Sequence, residues 1–537
     1  RGYFRQHLDA DGNQTEVSAL WDPAKRLQVV DARVHVEIEG RPVVIRAWRR
    51  DVVGVHGHVV PVYLLDTDVR ENDAQDRGLT DELYGGDSRY RLAQEAVLGL
   101  GGFRLLEALG RTEKAVFHLN EGHSALLSLA RWEKVASSRP GRSDAEILEE
   151  VRRQCVFTTH TPVAAGHDEC SEELARSVLG PEMTDTLARL GCLEDHNLNM
   201  TSVALRFARY VNGVSQRHQS VSQAMFPRAH INAVTNGVHA GTWTAPAFQR
   251  LFDAHFPNWR QDNHYLRYAV AIPLAKIQRS HTESKEHLMA EIRRRAKVDL
   301  DPKVFTIGFA RRATPYKRAE LLFGDLERLA TIGNKWPLQI VFAGKAHPRD
   351  EGGKDQIRHV YAAAKRLPAH VRVVYLEEYD VDLAKSVVAG VDLWLNTPEK
   401  PREASGTSGM KAALNGVPSF STHDGWWIEG AIEGVTGWTI GAPWQAPADA
   451  AAEQEDLYAK LENTILPLFH NDPSEWAEVM RSAIGINGSF FSAQRMLAQY
   501  VDNAYNMASS WSSVRRTVDP GKNEHPPATE ESPTAKA

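Results

Sequence analysis

Cysteine is scarce: Cys155, Cys170 and Cys192 are the three in 537 residues. No two form a CxxC pair. Neither a disulfide framework nor a structural zinc site is expected, and the set suits a reducing, cytoplasmic compartment. Long apolar runs are also lacking. No stretch of about eighteen consecutive apolar residues occurs, so no membrane-spanning helix is expected. Charge of one sign does not dominate. The formal charge is −6, which gives no electrostatic case for a nucleic-acid partner. No repeat of fixed short period and no signal peptide is visible. The first residues, RGYFRQHLD, begin in mid-pattern rather than at a start methionine. The chain is therefore expected to be a fragment or a trimmed product, with any targeting signal out of view.

What is present is ordinary in bulk: 42% hydrophobic and 25% charged residues, as in soluble globular proteins. The length exceeds one core, so two or more domains are expected. Residues 27–66 alternate apolar and polar and predict antiparallel strands. Residues 68–90 read as a Gly-rich loop and 91–109 as a helix. Gly99, Gly101 and Gly102 lie inside that helical run with no strand before them. Close helix packing is a better reading of them than a phosphate loop. Short strands are predicted at 115–119, 155–159 and 231–235, and helical spacing at 123–135 and 203–215. The pattern resets near 262–277. Beyond it, strands (304–309, 338–343, 371–376, 391–396) alternate with helices (318–329, 356–367, 381–388). That order predicts a parallel sheet with helices on both faces. Residues 494–511 form an amphipathic helix with Met496, Leu497, Tyr500, Val501, Ala504 and Tyr505 on one stripe, expected to pack back across both domains. Residues 515–537 read as a disordered tail. The fold class is α/β. The expected division is 1–265 (an N-terminal α/β domain, incomplete at its start), 266–485 (a C-terminal Rossmann-like domain), 486–514 (the returning helix) and 515–537 (the tail).

Chemistry concentrates in residues 399–430, EKPREASGTSGMKAALNGVPSFSTHDGWWIEG. A carboxylate, Glu403, a small-residue turn at 404–409 and Lys411 follow a predicted buried strand. Serine, threonine and glycine allow tight turns and leave N–H groups free at a helix start, where an anion binds. A lysine one turn further in can face the same pocket. Desolvated there, it loses part of its charge and becomes a nucleophile toward an aldehyde. Taken alone, the motif is equally a capped surface helix with a solvated lysine. Residues 309–318, FARRATPYKR, put Arg311, Arg312, Lys317 and Arg318 just after a strand, where open α/β sheets bind ligands. They form either a solvated basic loop or an oxyanion clamp, since guanidinium forks and an ammonium suit phosphate oxygens.

The order Glu403, Ala404, Ser405, Gly406, Thr407, Met410–Lys411, Asn415–Gly416 closely resembles the pyridoxal-phosphate signature of the α-glucan phosphorylases, the glycogen, starch and maltodextrin phosphorylase family. The similarity runs from Arg1 to about Trp511 and is closest to the shorter, bacterial-type branch. It implies two Rossmann-like domains facing across a cleft, the GT-B-like glycosyltransferase architecture. It also implies pyridoxal 5′-phosphate as cofactor, with Lys411 its Schiff-base lysine. FARRATPYKR is similar to the family's phosphate-binding segment. On that match Arg312 and Lys317 hold substrate phosphate and Tyr316 contacts the glucosyl unit. Arg311 stands where many relatives carry a lysine touching the cofactor phosphate. Residues 374–384 resemble the segment whose tyrosine, here Tyr379, bonds that phosphate. FTTHTP at 157–162 matches the loop of a sugar-contacting histidine, His160. TNG at 235–237 matches the loop whose asparagine, Asn236, meets the same 6-hydroxyl. LNEGH at 119–123 resembles a loop lining the glucan entrance, with Glu121 and His123. The N–H groups of Ala404, Ser405 and Gly406 and the Glu403 carboxylate are implied to hold ring hydroxyls, and Thr407 and Ser408 to meet the cofactor phosphate. The family's N-terminal glycine-rich loop has no match within these residues. It is expected upstream of Arg1, which makes the chain an N-terminally truncated member.

No pair of carboxylates suited to hydrolysis stands out. The activity implied is reversible phosphorolysis of a terminal α-1,4-linked glucose of glycogen or maltodextrin, giving α-D-glucose 1-phosphate with retained configuration. Lys411, Arg312 and Lys317 would be its catalytic residues, inorganic phosphate its second substrate, and no metal is involved. The family often forms homodimers. A nucleotide-sugar glucosyltransferase of glycogen-synthase type would share the architecture and need no aldehyde cofactor. A non-catalytic glucan-binding relative is the third reading.

Overall fold

The computed structural model describes residues 4–19, 21–82, 85–113, 115–163 and 166–506. Two all-parallel sheets carry the architecture. In the first, Phe117–Asn120, Cys155–Thr158, Tyr210–Gly213 and Asn232–Ala233 lie side by side in chain order. In the second, the spatial order is Val371–Leu376, Leu338–Ala343, Phe305–Ala310, Leu393–Asn396, Ser419–Thr422 and Gly437–Ile440. The direction of progression reverses between Phe305–Ala310 and Leu393–Asn396, which makes that seam a topological switch point. Every residue of Phe305–Ala310 and Leu338–Ala343 is buried, as strands covered on both faces must be. The α/β class and the parallel sheets are as expected. Among the described residues, no helix is long and apolar enough to cross a membrane.

Each sheet has its own core. Phe117, Phe157 and Phe207 pack around the four-stranded sheet. Phe305, Trp427, Trp438 and Trp476 pack around the six-stranded one, and Phe248, Phe252 and Trp259 join them. A three-stranded antiparallel sheet, Gln28–Ile38, Arg41–Val53 and Val59–Asp66, forms where alternation predicted it. Gly99 and Gly101 serve close packing. A Cβ on Gly99 would lie 2.7 Å from Leu127 N, and one on Gly101 2.3 Å from Ile45 Cδ1.

Some boundaries differ from expectation. The helical run at 203–215 ends at Phe207, and Tyr210–Gly213 is instead a central strand. Its apolar residues satisfy either period, and burial between two parallel neighbours decides. The helix expected at 318–329 is two pieces, Ala319–Phe323 and Leu326–Lys335. The break falls at Asp325, whose side chain accepts from Arg328 N and starts the second piece. In the C-terminal helix, Ala493–Tyr500 continues as a wider turn, Val501–Tyr505. Met496, Tyr500, Ala504 and Tyr505 pack on Val156, Tyr210 and Val234. Leu497 is not on that stripe but 54% exposed. Residues 507–511 of the expected helix and the tail at 515–537 lie outside the described residues.

Among the elements not foreseen, two tie distant parts of the chain together. Helix Leu274–Ala296 buries Ile277, His281, Lys285, Leu288 and Ile292. Its His281 Nε2 lies 2.9 Å and its Lys285 Nζ 2.5 Å from the two oxygens of Asp392. Asp392 also accepts from Thr306 N at 2.7 Å, so one buried carboxylate ties the helix to both strands at the switch point. The second is a hairpin, Phe4–Leu8 with Gln14–Ser18. Gln6 is fully buried; its Nε2 donates to Gly344 O at 2.8 Å, and Gln14 Nε2 donates to Ala346 O at 2.9 Å. Leu8 N donates to Glu377 Oε1 at 2.9 Å. The hairpin thus seats against two crossovers of the six-stranded sheet.

Candidate active site

The carboxyl ends of strands from both sheets border one cavity of about 1190 Å³. From the four-stranded sheet come Glu121, His123, His160 and Asn236. From the six-stranded sheet, the loop after Phe305–Ala310 brings Arg311, Arg312, Tyr316 and Lys317, and the loop after Val371–Leu376 brings Tyr379. The loop after Leu393–Asn396 brings Glu403, Ala404, Ser405 and Gly406, and helix Thr407–Ala413 that follows brings Thr407, Ser408 and Lys411. Every site residue expected from the sequence lines this one space. The two richest loops flank the switch point, where open sheets bind ligands.

The cationic wall is held by a carboxylate. Glu403 bridges Arg311 Nη2, at 2.5 Å, and Lys317 Nζ. Burial opposes ionisation of Glu403, but Lys317 and Arg311 outweigh it and hold its carboxyl at about 2. Burial, helped by the charge of Arg311, brings Lys317 down to about 7 against the pull of Glu403. Its ammonium sits 4.3 Å above the Tyr316 ring. Arg312 is exposed on the same loop.

Lys411 Nζ lies 3.9 Å above the ring of Trp243, and burial lowers its basicity. Asn415 holds the two together. Its Nδ2 donates to Trp243 O at 2.9 Å and to Lys411 O at 3.0 Å, while its Oδ1 accepts from Ala245 N at 2.7 Å. Ser408 Oγ accepts from Trp394 Nε1 at 3.1 Å. Burial pushes the Tyr379 hydroxyl above the usual phenol range. Arg311 Nε and Nη1 are buried without a hydrogen-bond partner. A desolvated amine, two orphaned guanidinium nitrogens and a phenol on one wall suit an aldehyde that carries a phosphate ester. The residues therefore fit pyridoxal phosphate.

The facing wall is ordered differently. His160 Nε2 is 2.5 Å from Asn120 Oδ1, and burial lowers the His160 pKa. Glu121 has φ +68. Its Oε2 accepts from His160 N at 2.6 Å and from Thr161 Oγ1 at 2.9 Å, so this carboxylate ties two loops. His123 Nδ1 lies 2.9 Å from Asp168 and 3.6 Å from Glu95. Asp168 first, then Glu95, raise it to about 9, so it is cationic at neutral pH. Asn236 O accepts from Arg495 Nη2 at 3.0 Å.

Sequence reasoning missed Trp243 and the clamp made by Asn415, which entered only as the end of the Glu403–Gly416 motif. Nothing local marks Trp243. It meets Lys411 because Asn415, just past helix Thr407–Ala413, binds Trp243 O and Ala245 N. Asn120 also lines the cavity; it stood in the LNEGH loop and could have been chosen there.

A family model described as carbohydrate phosphorylase matches residues 163–435. The maltodextrin phosphorylase of Thermococcus litoralis is 38% identical, over 94% of this chain and 65% of that protein. A glycogen phosphorylase of Mycobacterium tuberculosis is 35% identical, over 96% of this chain and 66% of that protein. The one from Aquifex aeolicus is also 35% identical, over 94% of this chain and 79% of its own length. The chain thus spans just under two thirds of the first two of these relatives and more of the third. These matches and the motifs gathered around one cavity agree: the chain belongs to the carbohydrate phosphorylase family.

Proposed function

We propose that this chain carries the reaction site of an α-glucan phosphorylase. It transfers a terminal α-1,4-linked glucosyl unit of glycogen or maltodextrin to inorganic phosphate, giving α-D-glucose 1-phosphate, and it holds pyridoxal 5′-phosphate. One observation carries the reading: the Lys411 amine, the cations Arg311, Arg312 and Lys317 and the sugar-side residues of the other sheet all line a single cavity. The division into domains near residue 265, a cytoplasmic setting and a homodimer belong to the same reading. Separate cores around the two sheets support a two-part division, with Phe248, Phe252 and Trp259, which precede residue 265, packed on the six-stranded side.

Lys411 holds the cofactor, since its lowered basicity favours the neutral amine that adds to an aldehyde. Tyr379, Thr407, Ser408 and the orphaned N–H groups of Arg311 would hold its phosphate. When bound, the cofactor supplies a phosphate group that gives and takes a proton beside the substrate phosphate. Arg312 and Lys317 hold that substrate phosphate and offset the charge redistributed as the glycosidic bond breaks. Glu403 and the backbone of Ala404, Ser405 and Gly406 take ring hydroxyls. His160 and Asn236 take the 6-hydroxyl, and Tyr316 packs on the glucosyl unit. Glu121 and His123 wall the glucan entrance. Glu403 is a poor general acid for hydrolysis, because two cations keep it ionised.

Incubation with pyridoxal phosphate, inorganic phosphate and maltoheptaose should release glucose 1-phosphate. Borohydride reduction followed by peptide mapping should mark Lys411. Free glucose as product, or a mark on another lysine, rejects the proposal. Glucosyl transfer from a nucleotide sugar without the aldehyde would favour the synthase-like reading.

Anion binding should depend on pH. Lys317 loses its charge as pH rises through about 7, while Glu403 stays ionised. Sulfate keeps a constant charge over this range, and its affinity should fall roughly tenfold per pH unit once Lys317 is deprotonated. Calorimetric titrations between about pH 6 and 9 measure this, and a flat profile would remove Lys317 from the anion site.

A further inference from the structure

The loop at 403–406 is fixed from behind by groups from both halves of the chain. Glu403 N donates to Asp424 Oδ2 at 2.9 Å. Trp426 N donates to Ser405 O at 2.8 Å. From the other half, Ser215 Oγ donates to Ala404 O at 2.7 Å. Gly425 between Asp424 and Trp426 has φ +57, and a Cβ there would lie 2.6 Å from Ser405 O. The Asp–Gly turn therefore lies flat against the loop as no larger residue could.

The Asp424 side chain is 0% exposed, and its Oδ1 has no hydrogen-bond partner. Arg217 Nε, also buried and without a partner, stands 3.8 Å away. Arg217 lies on the first turn of helix Gln216–Met225, which Ser215 caps, and its guanidinium sits 5.0 Å above the Trp444 ring. In the same turn, Gln216 N donates to Glu429 Oε1 at 2.9 Å, and Glu429 Oε2 accepts from Thr235 Oγ1 at 2.6 Å. Three consecutive residues, Ser215 to Arg217, thus reach across to the segment that backs the loop.

We infer that Asp424 is a positioning residue, with Arg217 of the facing half as its counter-charge. It fixes Glu403 and presents the backbone of Ala404, Ser405 and Gly406 to a glucosyl unit. This rests on the phosphorolytic reading above. The Glu403 N–H is where the loop begins to be held; Ser215 and Trp426 bind only the two carbonyls after it. Loss of the anchor therefore frees the backbone of the loop and its sugar contacts, while the Glu403 carboxylate stays pinned by Lys317 and Arg311 of another loop and keeps the anion clamp in place.

The test compares Asp424→Ala, Asp424→Asn and Arg217→Met with the unaltered chain. Maltoheptaose and sulfate are the probes, and amide hydrogen exchange is followed over residues 403–406. Asp424→Ala should weaken maltoheptaose binding about tenfold, the scale of stranding one buried N–H. Sulfate affinity should change less than about twofold, and the Glu403 amide should exchange faster. Asp424→Asn keeps an acceptor oxygen and should restore most of the affinity. Arg217→Met should give a smaller loss in the same direction, and it keeps the test alive if Asp424→Ala does not fold. Parallel loss of both probes, or unchanged affinity and exchange, overturns the inference. Failure of the unaltered chain to bind maltoheptaose rejects the phosphorolytic reading instead, and the exchange rates then judge the anchor by themselves.

Discussion

Lys411→Ala should abolish the absorbance of bound pyridoxal and lower phosphorolysis by about a hundred- to ten-thousandfold, the range set by losing a positioned proton donor and acceptor. Stability should barely change. Lys411 is only half-buried, and its ammonium rests on the Trp243 ring; such a contact contributes about 0.5–2 kcal/mol at most. Lys411→Arg makes the comparison sharper. Arginine keeps the charge and most of the volume but stays protonated and cannot add to an aldehyde. It should be as inactive as alanine. If Lys411→Arg retained activity, the residue would be serving as a charge, and the cofactor assignment would fall.

Asp392→Ala should have the largest effect on stability, about 3–5 kcal/mol, because it strands Lys285 beside His281 in a dry seam. Urea unfolding measures the loss. The pH dependence follows from the direction of the Asp392 shift. Burial opposes its ionisation, yet Lys285 and His281 hold its carboxyl below the usual range. A depressed carboxylate contributes stability that is fully present above the unfolded value, about 3.9. That contribution is lost as pH falls through the lower folded value. The gap between the unaltered chain and Asp392→Ala should therefore be constant from about pH 5 upward and close in acid. A urea midpoint unmoved by the substitution would mean that helix Leu274–Ala296 is held by its apolar contacts alone.

That helix also shows why part of the fold was not legible. Its inward face carries Ser280, His281, Ser284 and Lys285, so the apolar period that marks a core helix is interrupted. The partner that makes His281 and Lys285 acceptable inside, Asp392, lies 111 and 107 residues away. The βαβ alternation beyond residue 300 was legible because each strand is a short apolar run between polar loops. The reversal of strand order was not, since adjacency is decided by crossovers rather than by local sequence. Site residues could be read where a motif follows a strand. What those residues touch could not: Glu403 meets Arg311 and Lys317, and Glu121 holds His160 N, through contacts no spacing encodes. The hairpin at 4–18 was silent for the same reason, because glutamines carry no burial signal until their carbonyl partners are known.

Gln6 and its acceptor Gly344 are 338 residues apart. At about 5–20 residues per second, a ribosome needs roughly 17–70 s to make that acceptor after the first strand has emerged. A two-stranded ribbon is marginal in water by itself. During synthesis this one must wait, its amides hydrated, while the rest of the first half collapses around its own sheet. Maturation then includes the docking of an earlier-made ribbon onto later-made crossovers, a slow closure over a very long loop.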